Sequence, residues 1–309
     1  MRNLNCPQLK KQLDELKFRI DDINESIQTA STCDHADKIN GKMMFLEFLI
    51  TDLRELLPFG FEIRKGEAMA LEKFFGEKIE VSFLPKEITQ DKLEQWKQLG
   101  LDLHYLPEIN MNKSAKYPGW RKKPHSGAFG MWDMINKGTF PKDITQLKSG
   151  WFLIENIKKP WRISMGETQE YEDDLLAAII SGLKSKGVVD EAAIAESSKT
   201  GKIKKESRCS ITLDELEDER TKKEFASIFA VSPECIDYPR AIEFNVLANM
   251  YYPQLGQANS SEHCSDRGQD GKTFKFVFGA TRDIDQVDSF SASDRSTGVG
   301  FRVMIRLNQ

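Results

Sequence analysis

Lys272-Thr273-Phe274-Lys275-Phe276-Val277-Phe278 and, further on, Gly300-Phe301-Arg302-Val303-Met304-Ile305-Arg306-Leu307 are the stretches whose reading decides the fold. In the first, Phe274, Phe276 and Phe278 alternate with Lys275 and Val277. In the second, Phe301, Val303, Ile305 and Leu307 alternate with Arg302, Met304 and Arg306. A period of two marks strands with one face on a core and the other in water. Residues 280–298 join them and are mainly polar, with Phe290 their only aromatic. A connection that long inside an ordered domain is either functional or disordered.

Upstream, Pro239 signals a helix start, because its missing N–H would be unpaired in a first turn anyway. Ala241, Phe244, Leu247, Ala248 and Tyr251 then form an inner stripe. Residues 210–231 read as one helix that offers Leu213, Leu216, Phe225, Ile228 and Phe229 to a core. Residues 196–208 are Ser, Lys, Thr and Glu with almost no apolar content, which predicts a mobile polar insert. Residues 173–183 place Leu175, Leu176, Ile179, Ile180 and Leu183 at helical spacing, with Gly187 near the helix end. Residues 151–154, Trp-Phe-Leu-Ile, read as a buried strand.

Residues 59–145 form an accessory α/β region of short apolar runs broken by Pro and Gly. Residues 79–83 alternate like a half-buried strand, and 92–99 read as a helix that starts near Thr89. Tyr117, Trp120, His125, Phe129 and Trp132 read as loop packing around a core. Nearer the start, Leu9, Leu13, Leu16, Ile20, Ile23 and Ile27 repeat in steps of four and three, and so do Ile39, Met43, Leu46, Ile50, Leu53 and Leu57. This is an a/d seam in each of two helices, joined by a polar break and closed by Pro58. Residues 1–58 are therefore expected to fold back as a helical hairpin, a packing element or an oligomerisation element.

A chain of 309 residues, 39% hydrophobic, can hide roughly three quarters of its unfolded surface, so global disorder is excluded. The formal net charge of −4 lacks the basic excess of a nucleic-acid binder. Five dispersed cysteines with no CxxC pair suggest neither a disulfide framework nor a zinc ribbon, and a reducing compartment fits them best. No apolar run approaches the ~18 residues of a membrane span, and Met1 leads straight into polar sequence. The expectation is a protein made in the cytoplasm without membrane insertion. Display outside a cell then needs a carrier such as a virion.

With these elements set out, a resemblance becomes informative. Pro239, Glu243 and Phe244, then Asn259, Glu262, Cys264, Ser265 and Asp266, then Gly279, and last Gly300-Phe301-Arg302 are similar in order to the signature of the formylglycine-generating (sulfatase-modifying) proteins. The similarity fades before residue 150 and is absent from the hairpin. It implies an α+β chain in which residues 146–309 form a C-type lectin fold of that type, carrying the 196–208 insert. Enzymes of the family use a redox-active cysteine pair ahead of Gly-Phe-Arg to hold copper, yet residues 267–309 contain no cysteine. Their iron-dependent relatives need a histidine cluster, and His35, His104, His125 and His263 have no such spacing. The motifs of calcium-dependent sugar binding are missing as well.

A non-enzymatic branch of the fold fits better. In the variable proteins of diversity-generating retroelements, outward residues just before Gly-Phe-Arg are diversified while the frame stays fixed. The stretch 290–302 resembles that layout. It implies that Thr281, Arg282, Asp283, Ile284, Asp285, Val287, Asp288, Ser293 and Asp294 contact a protein or glycan ligand, with no cofactor and no metal. Arg302 is expected to anchor the fold inward.

Other candidates have plainer readings. Glu262 and Asp266 form an acid–base pair or a structural network. Cys264 beside His263 is a nucleophile or a buried small hydrophobe. Asp270-Gly271, together with Asp266, is a cation site or a turn, and Cys33-Asp34-His35 lies in the interhelical loop. An oxidase with displaced catalytic residues and a helical adaptor stand as the alternative functions.

Overall fold

The computed structural model describes residues 6–29, 39, 42–44, 58–85, 87–112, 114–124, 135–138, 141–158, 162–164, 167–168, 171–190, 206–256, 260–268, 272–276, 287–296 and 298–307. Helices and strands are mixed, and the chain divides into two compact units, Met1–Gly66 and Glu67–Gln309.

In the first unit, helix α1 covers Cys6–Thr29. Ile23, on its predicted seam, is buried, and Lys42 reaches Asp22 across 2.8 Å from the second apolar run. Most of that second run lies outside the described residues. Pro58, expected to stop it, is the first residue of helix α2, Pro58–Phe75. Proline suits that position because an N1 residue has no helical N–H bond to make.

The second unit is built on two sheets. Helix α3, Gln90–Gln98, starts where Thr89 accepts a hydrogen bond from the Lys92 N–H at 3.2 Å, and leads into strand β1, Leu101–Leu106. Strand β1 pairs antiparallel with β2, Gly150–Glu155, so residues 59–145 and 146–309 share one sheet. Strands β3 (Arg162–Ser164) and β4 (Glu167–Thr168) form a small hairpin. Helices α4 (Ala177–Ser185), α5 (Leu213–Glu217) and α6 (Glu219–Phe229), strand β5 (Ile236–Asp237) and helix α7 (Ala241–Met250) follow. Then come β6 (Ser261–Arg267), β7 (Lys272–Phe276), β8 (Val287–Ser291), β9 (Val299–Gly300) and β10 (Met304–Arg306). The first sheet has the order β1-β2-β10-β5 and the second β8-β7-β6-β9, with β9 parallel to β6. The main core lies between the first sheet and the helices: Leu101, Leu153, Ile236 and Ile305 meet Ile180, Leu183, Leu216, Phe225 and Phe229.

Several expectations change. Residues 79–83 are extended but form no strand: Val81 is buried, Phe83 is 80% exposed, and the Ser82 and Phe83 carbonyls accept from the Trp151 indole at 3.2 and 3.1 Å. The helix expected from 173 begins only at Ala177, because Asp173 has φ 51° and Asp174 is engaged elsewhere. The single helix expected over 210–231 is two, because Asp218 turns to ψ 133° and caps α6 through the Arg220 N–H. Pro239 stays outside α7, whose N-cap is Arg240. Residues 301–307 are not half-exposed. Phe301, Arg302, Val303, Met304 and Ile305 are all buried, since the chain crosses from one sheet to the other through the core.

Candidate functional site

The described part of the segment expected to bind, residues 287–294, is a strand followed by a turn, where the sequence suggested a long connection. Strand β8 pairs with β7 in continuous antiparallel register from Lys272↔Ser291 to Phe276↔Val287. Beyond it the chain reverses, with the Asp294 N–H donating to the Ser291 carbonyl at 3.1 Å. Ala292 is buried, whereas Ser293 and Asp294 are exposed. The Ser291 and Ser293 hydroxyls lie 2.9 Å apart. Of the nine expected contact residues, Ser293 and Asp294 stand together on this turn and Val287 and Asp288 belong to β8. Thr281, Arg282, Asp283, Ile284 and Asp285 lie outside the described residues.

Arg295 turns back from the tip. Its guanidinium donates to both Glu215 carboxylate oxygens, at 2.7 and 2.5 Å, and to the Ser210 carbonyl at 3.0 Å. Glu215 in turn completes a capping box with Thr212 at the start of α5 and accepts from the Asp190 N–H at 2.7 Å. Burial raises the Glu215 pKa, but the Arg295, Asp190 and Thr212 hydrogen bonds outweigh it, so the carboxyl sits below its ordinary range.

The same unit holds a largely buried charge network. Arg302, 1% exposed, donates two parallel bonds to Glu262, at 3.2 and 3.0 Å, and others to the carbonyls of Glu155 and Ile157. Tyr171 donates to Glu262 at 2.8 Å; its hydroxyl pKa is pushed well above the ordinary value by burial and by Glu262. Arg208, also 1% exposed, bridges Glu155 at 2.7 and 2.8 Å and Asp174 at 2.8 and 2.6 Å, with its face against Tyr171 and Phe301. Burial alone would weaken its hold on the proton, yet the two carboxylates raise its pKa well above normal. Glu155 also accepts from the Val303 N–H at 2.7 Å. Paired forks of this kind satisfy charges that burial would otherwise make costly.

Arg208 therefore does not belong to a mobile insert, as its polar neighbours suggested. The described part of that stretch, residues 206–208, leads into the core, and residues 196–205 lie outside the described residues. Arg208, Glu155, Asp174 and Tyr171 were not legible as a group. Their one sequence signal was charge set beside apolar runs, as at Glu155 after residues 151–154. Glu215 had a readable signal, the Thr-x-x-Glu spacing of a capping box.

Asp270-Gly271 lies outside the described residues, and Asp266, its suggested companion, is engaged inside the fold. Asp266 accepts from the Ala241 N–H at 2.6 Å and pairs with Arg240 at 3.2 Å, capping α7 from β6. Burial raises its pKa to about 6 against the pull of Arg240. Cys264 is buried, and His263 Nε2 lies 2.9 Å from the Ile211 carbonyl.

A further polar cluster sits elsewhere in this unit. His104 lies between Glu67, 3.1 Å away, and the Tyr252 hydroxyl, 2.7 Å away, and stacks on Tyr251 at 3.9 Å. Tyr252 donates to Asp102 at 3.0 Å and Tyr251 to Glu67 at 2.8 Å, which ties α2 and the exit of α7 to β1. Among the described residues no group of three or more His, Cys, Asp or Glu side chains is placed to hold a metal ion, and no helix is long and apolar enough to cross a membrane. No protein-family model matches the chain, and no curated protein or solved structure matches it either.

Proposed function

We propose that this protein is a non-enzymatic binder that presents a diversified surface, residues 281–294, to a protein or glycan ligand. The observation that carries this reading is the division of labour in the tip turn. Ala292 and Arg295 fix the backbone from behind while Ser293 and Asp294 point into solvent. Surface side chains so placed can be exchanged within about ±0.5 kcal/mol, while recognition rests on loops held by a rigid scaffold. The finer assignment to a C-type lectin fold is supported by the Gly300-Phe301-Arg302 segment, which crosses between the two sheets with Arg302 locked to Glu262.

Small polar residues adapt to a ligand, but with few aromatic anchors each contact is weak, which favours multivalent display. The test is sequence variation at the locus. Many clones, read beside any near-copy repeat, should differ at adenines concentrated in codons 280–298. A uniform locus with no repeat removes the diversification claim. A two-site variant with alanine at 293 and 294 should keep the wild-type melting temperature, and a collapse of the fold would show that these residues serve stability instead.

A further inference from the structure

Between Ser291 and Val299 the backbone is tied down at alternating points. The Ala292 carbonyl accepts from the Asp214 N–H at 3.3 Å, and the Ser296 carbonyl from the Ser210 N–H at 3.1 Å and the Val299 N–H at 3.2 Å. The Gly298 carbonyl accepts from the Ser261 N–H at 2.9 Å. The only side chain of this segment that reaches a charged partner among the described residues is Arg295. Its partner, Glu215, is already fixed by the Thr212 N–H at 2.9 Å, the Thr212 hydroxyl at 3.1 Å and the Asp190 N–H. Asp190 adds a second carboxylate 3.8 Å from the Arg295 guanidinium. A planar fork bound to a preset carboxylate holds both position and direction, which a lysine ammonium does not.

We infer that Arg295 and Glu215 form a latch, acting as positioning residues that hold the Ser293–Asp294 turn in one conformation whatever side chains it displays. A binding loop ordered before it meets its ligand spends less of the contact energy on ordering, so a diversified tip built from small residues gains most from such a latch. The value of the latch for recognition rests on the function proposed above; the latch itself is measurable without any ligand.

The experiment is amide hydrogen exchange on the full chain, read at Asp294, at Val299 and at the Ser210 amide that the Ser296 carbonyl holds and, as a reference, at the core strand β2. In Arg295→Met the tip amides should exchange about tenfold or more faster through an opening that depends little on added urea, the signature of local opening, while the melting temperature falls by no more than several degrees. Arg295→Lys should give an intermediate increase. Unchanged tip exchange in Arg295→Met overturns the latch. So does tip exchange that rises only through the strongly urea-dependent unfolding seen at β2, which would make the pair a general stability element. If Arg295→Met does not fold, Glu215→Gln, which keeps one acceptor oxygen and loses the charge and the two-pronged pairing, gives the same reading. A confirmed latch with an invariant locus would refute diversification alone, and a variable locus with unchanged exchange would refute the latch alone.

Discussion

An alanine Cβ at position 300 would come within 2.6 Å of the Tyr171 hydroxyl, which cannot retreat because it is bonded to Glu262 and packed under Arg208. Gly300→Ala is therefore expected to destabilise the protein by about 1–3 kcal/mol in chemical denaturation, as overpacking of a core does. Tyr171→Phe removes the clashing oxygen, so the double variant should be more stable than the two single effects added together. Arg302→Met should be far more damaging, roughly 3–5 kcal/mol, because it leaves the Glu262 carboxylate buried without its cation. Ser293→Ala, on the same denaturation curve, should change stability by no more than about 0.5 kcal/mol. The inward role of Arg302 could be read from Gly-Phe-Arg. That of Arg208 could not, because nothing local distinguishes an arginine beside a polar insert from a solvated one until Glu155 and Asp174 are brought to it from distant segments.

Helix α7 depends on an acceptor from another element, since Asp266 on β6 binds its first N–H. The Asp266 carboxyl titrates near 6 in the fold and at an ordinary 3.8 when unfolded, so folding takes up a proton between those values. Stability from this group is then fully present below about pH 4 and lost as pH rises through 6, by a few kcal/mol at most. Asp266→Asn should remove that slope, and urea denaturation of both forms from pH 4 to 7 measures it as a difference that flattens above 6. Glu215 has the opposite sign: its depressed pKa contributes stability above the ordinary 4.5 that is lost as pH falls. In the variant comparison Glu215 and the other carboxylates cancel. Start signals such as Thr89 and Thr212 were local and legible in sequence. The break at Asp218 was missed because Leu213, Leu216 and Phe225 all face the core on either side of it, so the apolar pattern runs on through the interruption.

The division between the units falls in the sequence of helix α2, whose second half belongs to the second unit and supplies Glu67 to the His104 cluster. The core of the second unit is complete in itself, with Leu71, Phe74 and Phe75 of that half-helix among its buried residues. A chain begun at Pro58 should accordingly keep cooperative unfolding and a near-ultraviolet aromatic signal, with a midpoint within several degrees of the full chain. Loss of the signal would show that residues 1–57 are part of the fold. If the hairpin serves multivalent display, the shortened chain should also sediment as a smaller species.

Periodicity and caps made several strands and most helices readable from the chain alone, because each depends on spacing over a few residues or on a side chain bonding its own neighbourhood. Pairing across the chain was a different matter. Tertiary contact brought Arg208 to Glu155, Asp266 to α7 and Arg295 to Glu215, and it buried both faces of residues 301–305. A buried charge is stable only beside its opposite, and the partner's distance along the chain leaves no mark in either local pattern.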